Sequence, residues 1–234
     1  MRLDKFFSSQ NLVSRKQIKS LLKQKAIAVN GSTDCKPEQK IDPQKDCITL
    51  FGKIVQYQEY IYIMLNKPQG VVSATNDRTH RTVLDLVPKE LYRPGLFPAG
   101  RLDKDTTGLV LLTDDGELAH RILSPKNHVE KAYLARIDKE ITQMDMMQFE
   151  QGMTLKDGFV CMPAQMRVVE LCDNPLVEII LKEGKYHQIK RMVAALGGKV
   201  LSLKRIRMGG LALDPQQEEG ACKKILHKDV EKFL

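Results

Sequence analysis

The sequence has no long apolar run and no closely paired cysteines. No stretch of its 234 residues approaches the roughly 20 apolar residues that a membrane-spanning helix needs, which excludes a spanning protein. The segment MRLDKFFSSQ has an early acidic residue and no apolar core, so we expect no secretory signal peptide. The cysteines form no CxxC pair, which argues against a disulfide framework or a cysteine zinc site and predicts a reducing, cytoplasmic location. There are five: Cys35, Cys47, Cys161, Cys172 and Cys222.

Positive charge is in excess and unevenly spread. The formal net charge is +8, and residues 1–58 carry 11 Lys and Arg against 5 Asp and Glu. A second basic island lies at residues 182–207. A soluble protein this basic often binds a polyanion, although charge can also serve solubility alone.

Residues 1–58 are predicted to form a small separate module. The capping box Ser14–Gln17 predicts the start of a helix, and Ile18, Leu21 and Leu22 follow as one apolar stripe. The other side of this helix carries cations and no acid, which favours a phosphate-binding face over a mixed solvated one. These cations are Arg15, Lys16, Lys19 and Lys23.

The rest of the module is predicted to be a short β structure. Ala26–Val29 is a short apolar strand, Asn30-Gly31 is a hairpin turn signal, and Cys47–Phe51 is a closing strand. Residues 56–60 are predicted to be a linker. The segments RLDKF, SRKQI and AIAVNG resemble the S4-like RNA-binding module, which implies two short helices and a hairpin that bind structured RNA.

From Ile61 onward, strands and fewer helices alternate irregularly, which predicts an α+β fold with a mixed, mostly antiparallel sheet. Strand Ile61–Leu65 ends at a turn and resumes at Val71-Val72. Further strands are predicted at Leu109–Leu112, Ala132–Ile137, Gln165–Glu170, Leu176–Leu181, Lys199–Ile206 and Gly210–Leu213. Helices are predicted at Glu117–Leu123, Met144–Gln151 and His187–Leu196, the last ended by Gly197-Gly198.

The segment GRLDKDTTGL, residues 100–109, is the first candidate for chemistry. It places Asp103 between two cations before an apolar strand, which favours an ionised carboxylate capable of nucleophilic attack. A plain turn capped by Asp105 and Thr106 is the alternative. A magnesium-dependent nuclease using Asp103, Asp105, Asp114 and Asp115 is a weaker one, since Arg101 and Lys104 lie among these acids.

Two further segments carry candidate residues. Residues 182–192 gather Lys185, Lys190 and Arg191 where a strand gives way to a helix, which suits a phosphate or a carboxylate partner. Residues 131–133 contain Tyr133, which taken alone reads as a core tyrosine. No two of the five histidines are spaced i, i+4, so a histidine metal site is not favoured.

Four motifs together resemble the RsuA-like branch of the pseudouridine synthases: NKPQG (66–70), AGRLDKDTTGLVLLTDDG (99–116), EKAYL (130–134) and EGKYHQIKRM (183–192). The resemblance covers essentially the whole chain and implies an S4-like domain at 1–58 and a catalytic domain at 61–234. It implies that Asp103 is the essential aspartate, Arg101 helps to flip the target nucleotide, Tyr133 stacks on its base and Lys190 pairs with the aspartate. Ile189 or Leu181 supplies the apolar wall.

The resemblance implies isomerisation of uridine to pseudouridine in ribosomal RNA, without a cofactor or metal because no redox change or group transfer occurs. The resemblance favours 16S over 23S rRNA as the substrate, because the sequence has the N-terminal module and no long basic C-terminal tail. A non-catalytic RNA-binding protein is the rival class. A monomer is expected, and the predicted RNA contacts are Arg2, Arg15, Lys16, Lys19, Lys23, Lys67, Lys185 and Arg191.

Overall fold

A computed structural model describes residues 1–231, which form two compact units. The smaller unit comprises Met1–Ile61 and Pro88–Leu96, and the larger comprises Tyr62–Val87 and the chain from Phe97 onward. Residues 232–234, the end of the predicted 61–234 domain, lie outside the described residues. Within the described chain, no helix has the length and apolar character needed to cross a bilayer.

Residues 88–96 pack with the smaller unit, whereas the sequence analysis places them in the larger one. Arg93 is 6% exposed, and its guanidinium donates hydrogen bonds to three backbone carbonyls of the smaller unit. The acceptors are Ser9 at 2.9 Å, Gln58 at 3.0 Å and Glu59 at 3.2 Å. Such contacts join residues up to 84 positions apart, so no local pattern signals them.

The smaller unit has two helices and a three-stranded antiparallel sheet around one apolar core. Phe6 and Phe7 pack edge to face in this core, with Ile18 and Ile27 fully buried beside them. The elements are α1 (Leu3–Ser9), α2 (Arg15–Lys23), β1 (Ile27–Val29), β2 (Ile48–Leu50) and β3 (Lys53–Ile54).

The local signals in this unit are only partly confirmed. Ser14 caps α2, and its Oγ accepts from the Gln17 N–H at 3.4 Å in the predicted capping box. Asn30 and Gly31 both have positive φ, as a tight turn requires. The predicted hairpin turn is confirmed, since Val29 and Ser32 exchange two backbone hydrogen bonds across it at 2.9 and 3.0 Å. No strand follows the turn, however, and β1 pairs with the distant β2.

The larger unit is built on a nine-stranded sheet in the order β12-β4-β6-β10-β7-β9-β8, with β5 on β6 and β11 on β10. The β10–β6 pair is parallel and the other pairs are antiparallel. This confirms the predicted α+β fold with a mixed, mostly antiparallel sheet. The strands are β4 (Tyr62–Lys67), β5 (Phe97–Ala99), β6 (Thr107–Thr113), β7 (Lys131–Ile137), β8 (Gln165–Glu170), β9 (Leu176–Leu181), β10 (Val200–Met208), β11 (Leu211–Ala212) and β12 (Cys222–Ile225).

The predicted helices of this unit are confirmed to within one or two residues at their ends. The helices are α3 (Gly116–Leu123), α4 (Gln143–Gln151), α5 (Gln188–Ala195) and α6 (His227–Val230), with short 3-10 turns at Val83–Leu86 and Pro125–Asn127. The predicted continuation at Val71-Val72 is wrong, since Val72 makes only an isolated bridge to Thr82. Sequence reasoning also missed α6, β12 and β5, whose proline suits an edge position.

Two strands share one edge of β6, and this arrangement creates the site. β5 pairs with the Leu111–Thr113 end of β6, while β10 pairs with its Thr107–Gly108 end. The chain therefore leaves β5, forms the loop at residues 100–106 and returns as β6 directly beside β10. The loop is therefore anchored at the end of β6 that lies beside β10, within the sheet.

Candidate active site

The loop at residues 100–106 is fixed by hydrogen bonds to its backbone. The buried Ser73 hydroxyl donates to the Leu102 carbonyl and accepts from the Leu102 N–H, both at 3.1 Å. The ammonium of Lys67 donates to the carbonyls of Thr106 at 2.7 Å and Lys104 at 3.3 Å. The residue between these anchors, Asp103, is therefore presented from a rigid turn.

Gly108 makes the junction with β10 possible. Its φ is +98°, and a Cβ placed on it would lie 2.2 Å from the Arg205 carbonyl oxygen. No side chain fits at that distance, so the glycine of the T-x-G-L segment is required for the parallel pairing of β6 with β10.

Asp103 lies in a cluster of charged side chains from two distant segments. The Lys190 ammonium of α5 is 3.2 Å from Asp103 Oδ2 and 2.6 Å from Asp105 Oδ1. His187 Nε2 is 3.5 Å from the other carboxylate oxygen, Asp103 Oδ1. The Asp103 side chain is 30% exposed, so it is partly desolvated yet reachable.

Asp105 and Lys190 each stabilise the charged form of the other. Hydrogen bonding to Lys190 lowers the pKa of Asp105. Burial lowers the pKa of Lys190, but the hydrogen bonds to Asp105 and Asp103 outweigh that effect, and the net shift is upward. Lys190 is therefore cationic throughout the physiological pH range and screens both carboxylates.

A small pocket opens in front of Asp103. Its walls include Tyr133 from β7, Leu181 from β9 and Ile189 from α5, each 8% exposed or less. Both residues weighed for the apolar wall thus line it. The cavity volume is about 80 Å³. That is far below the roughly 300–1,000 Å³ of sites for drug-sized ligands, so the pocket admits only one small group of a ligand.

The predicted catalytic residues come together here. Arg101 is exposed at the pocket, Tyr133 is buried in its wall, and Lys190 bridges the two aspartates. Another cavity, of about 480 Å³ beside β8 and β9, contains none of them; it is lined by three glutamates as well as Arg167 and Lys182, so it has no excess of positive charge.

The predicted RNA-contacting residues fall into three groups. Lys185 is exposed beside the pocket. Arg191 is half-buried and ion-paired with Asp157. The remaining exposed residues lie in the smaller unit, where Arg2 is ion-paired with Asp4. They are Arg2, Arg15, Lys16, Lys19 and Lys23.

Lys67 is the exception, and its predicted contact with RNA is wrong. It is fully buried, and burial lowers the pKa of its ammonium to about 8 despite the nearby charges of Asp105 and Asp103. Its third hydrogen bond goes to the Pro68 carbonyl at 3.0 Å. Lys67 therefore positions the loop that carries Asp103, a role that only its burial reveals.

The carboxylates weighed for a magnesium site are engaged elsewhere. Asp103 and Asp105 share Lys190, whose ammonium stands where a cation would bridge them. Asp115 caps α3 by accepting from the Leu118 N–H at 2.9 Å, and it also accepts from the Tyr62 hydroxyl at 2.8 Å. Among residues 1–231, no three His, Cys, Asp or Glu side chains are grouped to hold a metal ion.

Sequence reasoning missed His187 as a site residue because it weighed histidines only as metal ligands. The residue adopts a left-handed conformation with φ of 49° at the N-cap of α5, which turns its ring toward Asp103. The available signal was its position in KYHQIK, directly between a candidate strand and the helix that carries Lys190.

The fold and this pocket define an RNA-modifying enzyme, as comparisons with known proteins establish. A family model described as RNA pseudouridylate synthase matches residues 61–195. A solved structure described as a pseudouridylate synthase is 37% identical, with a TM-score of 0.69 and 100% coverage of both chains.

Full-length relatives carry the same assignment. A Bacillus subtilis protein named as an uncharacterized RNA pseudouridine synthase is 41% identical, over 98% of this chain and 97% of its own. An Escherichia coli protein named ribosomal small subunit pseudouridine synthase A is 38% identical, over 98% of each chain. The chain belongs to the RNA pseudouridine synthase family, and it is similar to members named for the small ribosomal subunit.

Proposed function

We propose that this enzyme converts one uridine of 16S ribosomal RNA to pseudouridine, with Asp103 as the nucleophile. The observation that carries the proposal is the meeting of Asp103, Tyr133 and Lys190 at one pocket, from segments up to 87 positions apart. The choice of 16S rRNA is supported by the names of the relatives from Escherichia coli and Yersinia pestis.

The pocket residues supply what the reaction needs. The N1–C1′ bond of uridine breaks, the base turns, and C1′ bonds to C5. The C5 hydrogen leaves as a proton, and N1 takes up a proton. Asp103, paired with Lys190, attacks C1′ or C6 or assists glycosidic cleavage, and Tyr133 holds the loose uracil by stacking. Arg101, exposed at the pocket, occupies the stack that the flipped nucleotide leaves, offsetting a cost of a few kcal/mol.

The smaller unit supports this chemistry by holding RNA. Its α2 face of four exposed cations contacts phosphates, which positions the substrate without reading its sequence. Binding by the smaller unit raises the effective concentration of the target at the catalytic pocket.

The test is tritium release from 16S and, separately, 23S rRNA labelled with [5-³H]uridine. Isomerisation expels the C5 hydrogen, so release reports the chemistry directly. We expect release from 16S rRNA by the wild type and none by Asp103→Asn, with RNA affinity changed by less than about 1 kcal/mol. Tritium release from 23S rRNA alone would contradict the assignment of 16S rRNA as the substrate.

The matched control is Asp105→Asn, because Asp105 shares Lys190 with Asp103 but its side chain is 59% exposed. We expect it to lose less than about tenfold in rate, since an exposed ion pair contributes about 1 kcal/mol or less. Normal turnover by Asp103→Asn, or equal losses in both variants, would contradict the assignment of the nucleophile.

A further inference from the structure

The ring of Tyr186 projects into solvent beside the catalytic pocket. The residue is 77% exposed, while the residues on either side of it, Lys185 and His187, both line the pocket. One face of the tyrosine ring lies on the imidazole of His187, with centroids 3.9 Å apart and planes 16° apart. This separation is typical of stacked rings, and most of the remaining ring surface is open.

The backbone that carries Tyr186 is held in place from both sides. The Tyr186 carbonyl accepts a hydrogen bond from Arg191 Nη1 at 3.4 Å. The Lys185 N–H donates to Gln188 Oε1 at 3.0 Å, and Gln188 Nε2 donates to Glu183 Oε1 at 2.6 Å. An exposed aromatic ring on such a support loses little freedom when a ligand stacks on it.

The stacked pair connects directly with the proposed nucleophile. His187 Nε2 is 3.5 Å from Asp103 Oδ1, so carboxylate, imidazole and tyrosine ring follow one another outward from the pocket. A base lying on the outer face of Tyr186 would belong to a close neighbour of the nucleotide presented to Asp103.

The charge around this ring indicates the class of ligand. Lys182 and Lys185 are exposed cations beside the ring, while Lys190 and Arg191 of the same segment are ion-paired with aspartates of other segments. Exposed aromatic rings among cations are the elements with which proteins bind single-stranded nucleic acid, because every base has a π face and every linkage a phosphate.

We propose that Tyr186, backed by His187, is a stacking platform for the base of a nucleotide adjacent to the target uridine. The proposal rests on the proposed function, since it takes RNA as the ligand. The platform holds a flanking nucleotide without discriminating among bases, and it keeps the target from stacking back on that neighbour once it has been flipped.

The first test reads RNA contact rather than turnover. The chain contains no tryptophan, so Tyr186→Trp keeps an aromatic ring and introduces a single fluorophore at the platform. Its emission should fall in step with RNA binding measured by filter retention. The control is Leu171→Trp, at a leucine that is 84% exposed in the larger unit and does not line the pocket, and its emission should stay constant.

Two outcomes would overturn the platform: constant emission from Tyr186→Trp at RNA saturation, or equal quenching in both variants. The titration is made with 16S and with 23S rRNA. It therefore decides the platform even where tritium release shows that 16S rRNA is not the substrate, and the two failures are distinguishable.

The second test separates stacking from other roles of the side chain. Tyr186→Leu should raise KM for RNA by about tenfold to a hundredfold, with much less change in kcat, while Tyr186→Phe stays close to wild type. Removing the flanking base from the substrate should raise the wild-type KM equally and add nothing to Tyr186→Leu. Additive losses, or equal losses in Tyr186→Phe and Tyr186→Leu, would contradict stacking.

Discussion

Replacing the buried Lys67 by methionine tests how the loop of Asp103 is held. Methionine has a similar length and no charge, so Lys67→Met removes the ammonium with little change in volume. The variant removes one donor from three carbonyls, those of Pro68, Lys104 and Thr106. The Lys104 carbonyl keeps the Gly70 N–H at 2.8 Å, so two carbonyls are left unsatisfied. Because Lys104 and Thr106 closely follow Asp103, the loop should lose part of its fixed position.

The expected magnitude follows from two opposing effects. Each buried carbonyl left unsatisfied costs about 1–3 kcal/mol. Lowering of the Lys67 pKa from 10.5 to about 8 means that burying the cation costs about 3 kcal/mol at neutral pH, and methionine relieves that cost. For two carbonyls the first effect totals about 2–6 kcal/mol, so we expect the free energy of unfolding to fall by about 1 kcal/mol, or roughly 2–4 °C in Tm.

The pH dependence provides an independent signature. In the folded protein Lys67 releases its proton near pH 8, whereas the unfolded chain keeps it up to about pH 10.5. The unfolded state therefore binds more protons between these values, and the wild type gains stability as pH rises. Its advantage over Lys67→Met should grow through this window by at most about 1.4 kcal/mol per pH unit.

The assay combines thermal unfolding with tritium release at saturating RNA. We expect Lys67→Met to lower both Tm and kcat, while the exposed Lys104→Met on the same loop leaves Tm unchanged. A wild-type Tm and kcat in Lys67→Met, or a stability advantage that shrinks above pH 8, would refute this account of the loop.

Four further changes have expected outcomes. Lys190→Arg should retain tritium release and Lys190→Met should lose most of it, because a cation must face Asp103; equal activities would argue against this pairing. Gly108→Ala should cost more than about 2 kcal/mol in denaturant unfolding, since φ is +98° and a Cβ meets the neighbouring strand. Ser14→Ala should cost about 1 kcal/mol in the same measurement, through loss of the cap, and no change would mean that the cap is not needed. Lys16→Gln with Lys19→Gln should make the salt dependence of RNA binding shallower by about one to two in log–log slope, and an unchanged slope would exclude these lysines from the contact.

Local patterns predicted most of the elements but fewer of their pairings. The capping box at Ser14 and the apolar patterns of most strands in the larger unit depend on residues a few positions apart. The helix and strands that they mark were therefore predicted. The Asn30-Gly31 turn was also predicted, but the pairing of β1 with β2, which comes from residues 48–50, was not. Nothing within a few residues of Asn30 encodes that choice.

The residues of the candidate site were likewise only partly predictable from the sequence. The resemblance to family motifs identified Asp103, Tyr133 and Lys190, because GRLDKDTTGL, EKAYL and KYHQIKRM are recognisable along the chain. Lys67 looked like a surface cation because sequence does not show which side chains a nine-stranded sheet covers. His187 was not identified as a site residue, because its contact with Asp103 spans 84 positions along the chain.

The sequence by itself determined the family, the fold class and the residue types of the pocket, because these depend on local periodicity and ordered motifs. Only the tertiary structure decided that Lys67 is buried, that His187 contacts Asp103 and stacks on Tyr186, and that residues 88–96 belong to the smaller unit. Burial and long-range pairing depend on which distant segments pack together, and that information is spread over the whole chain.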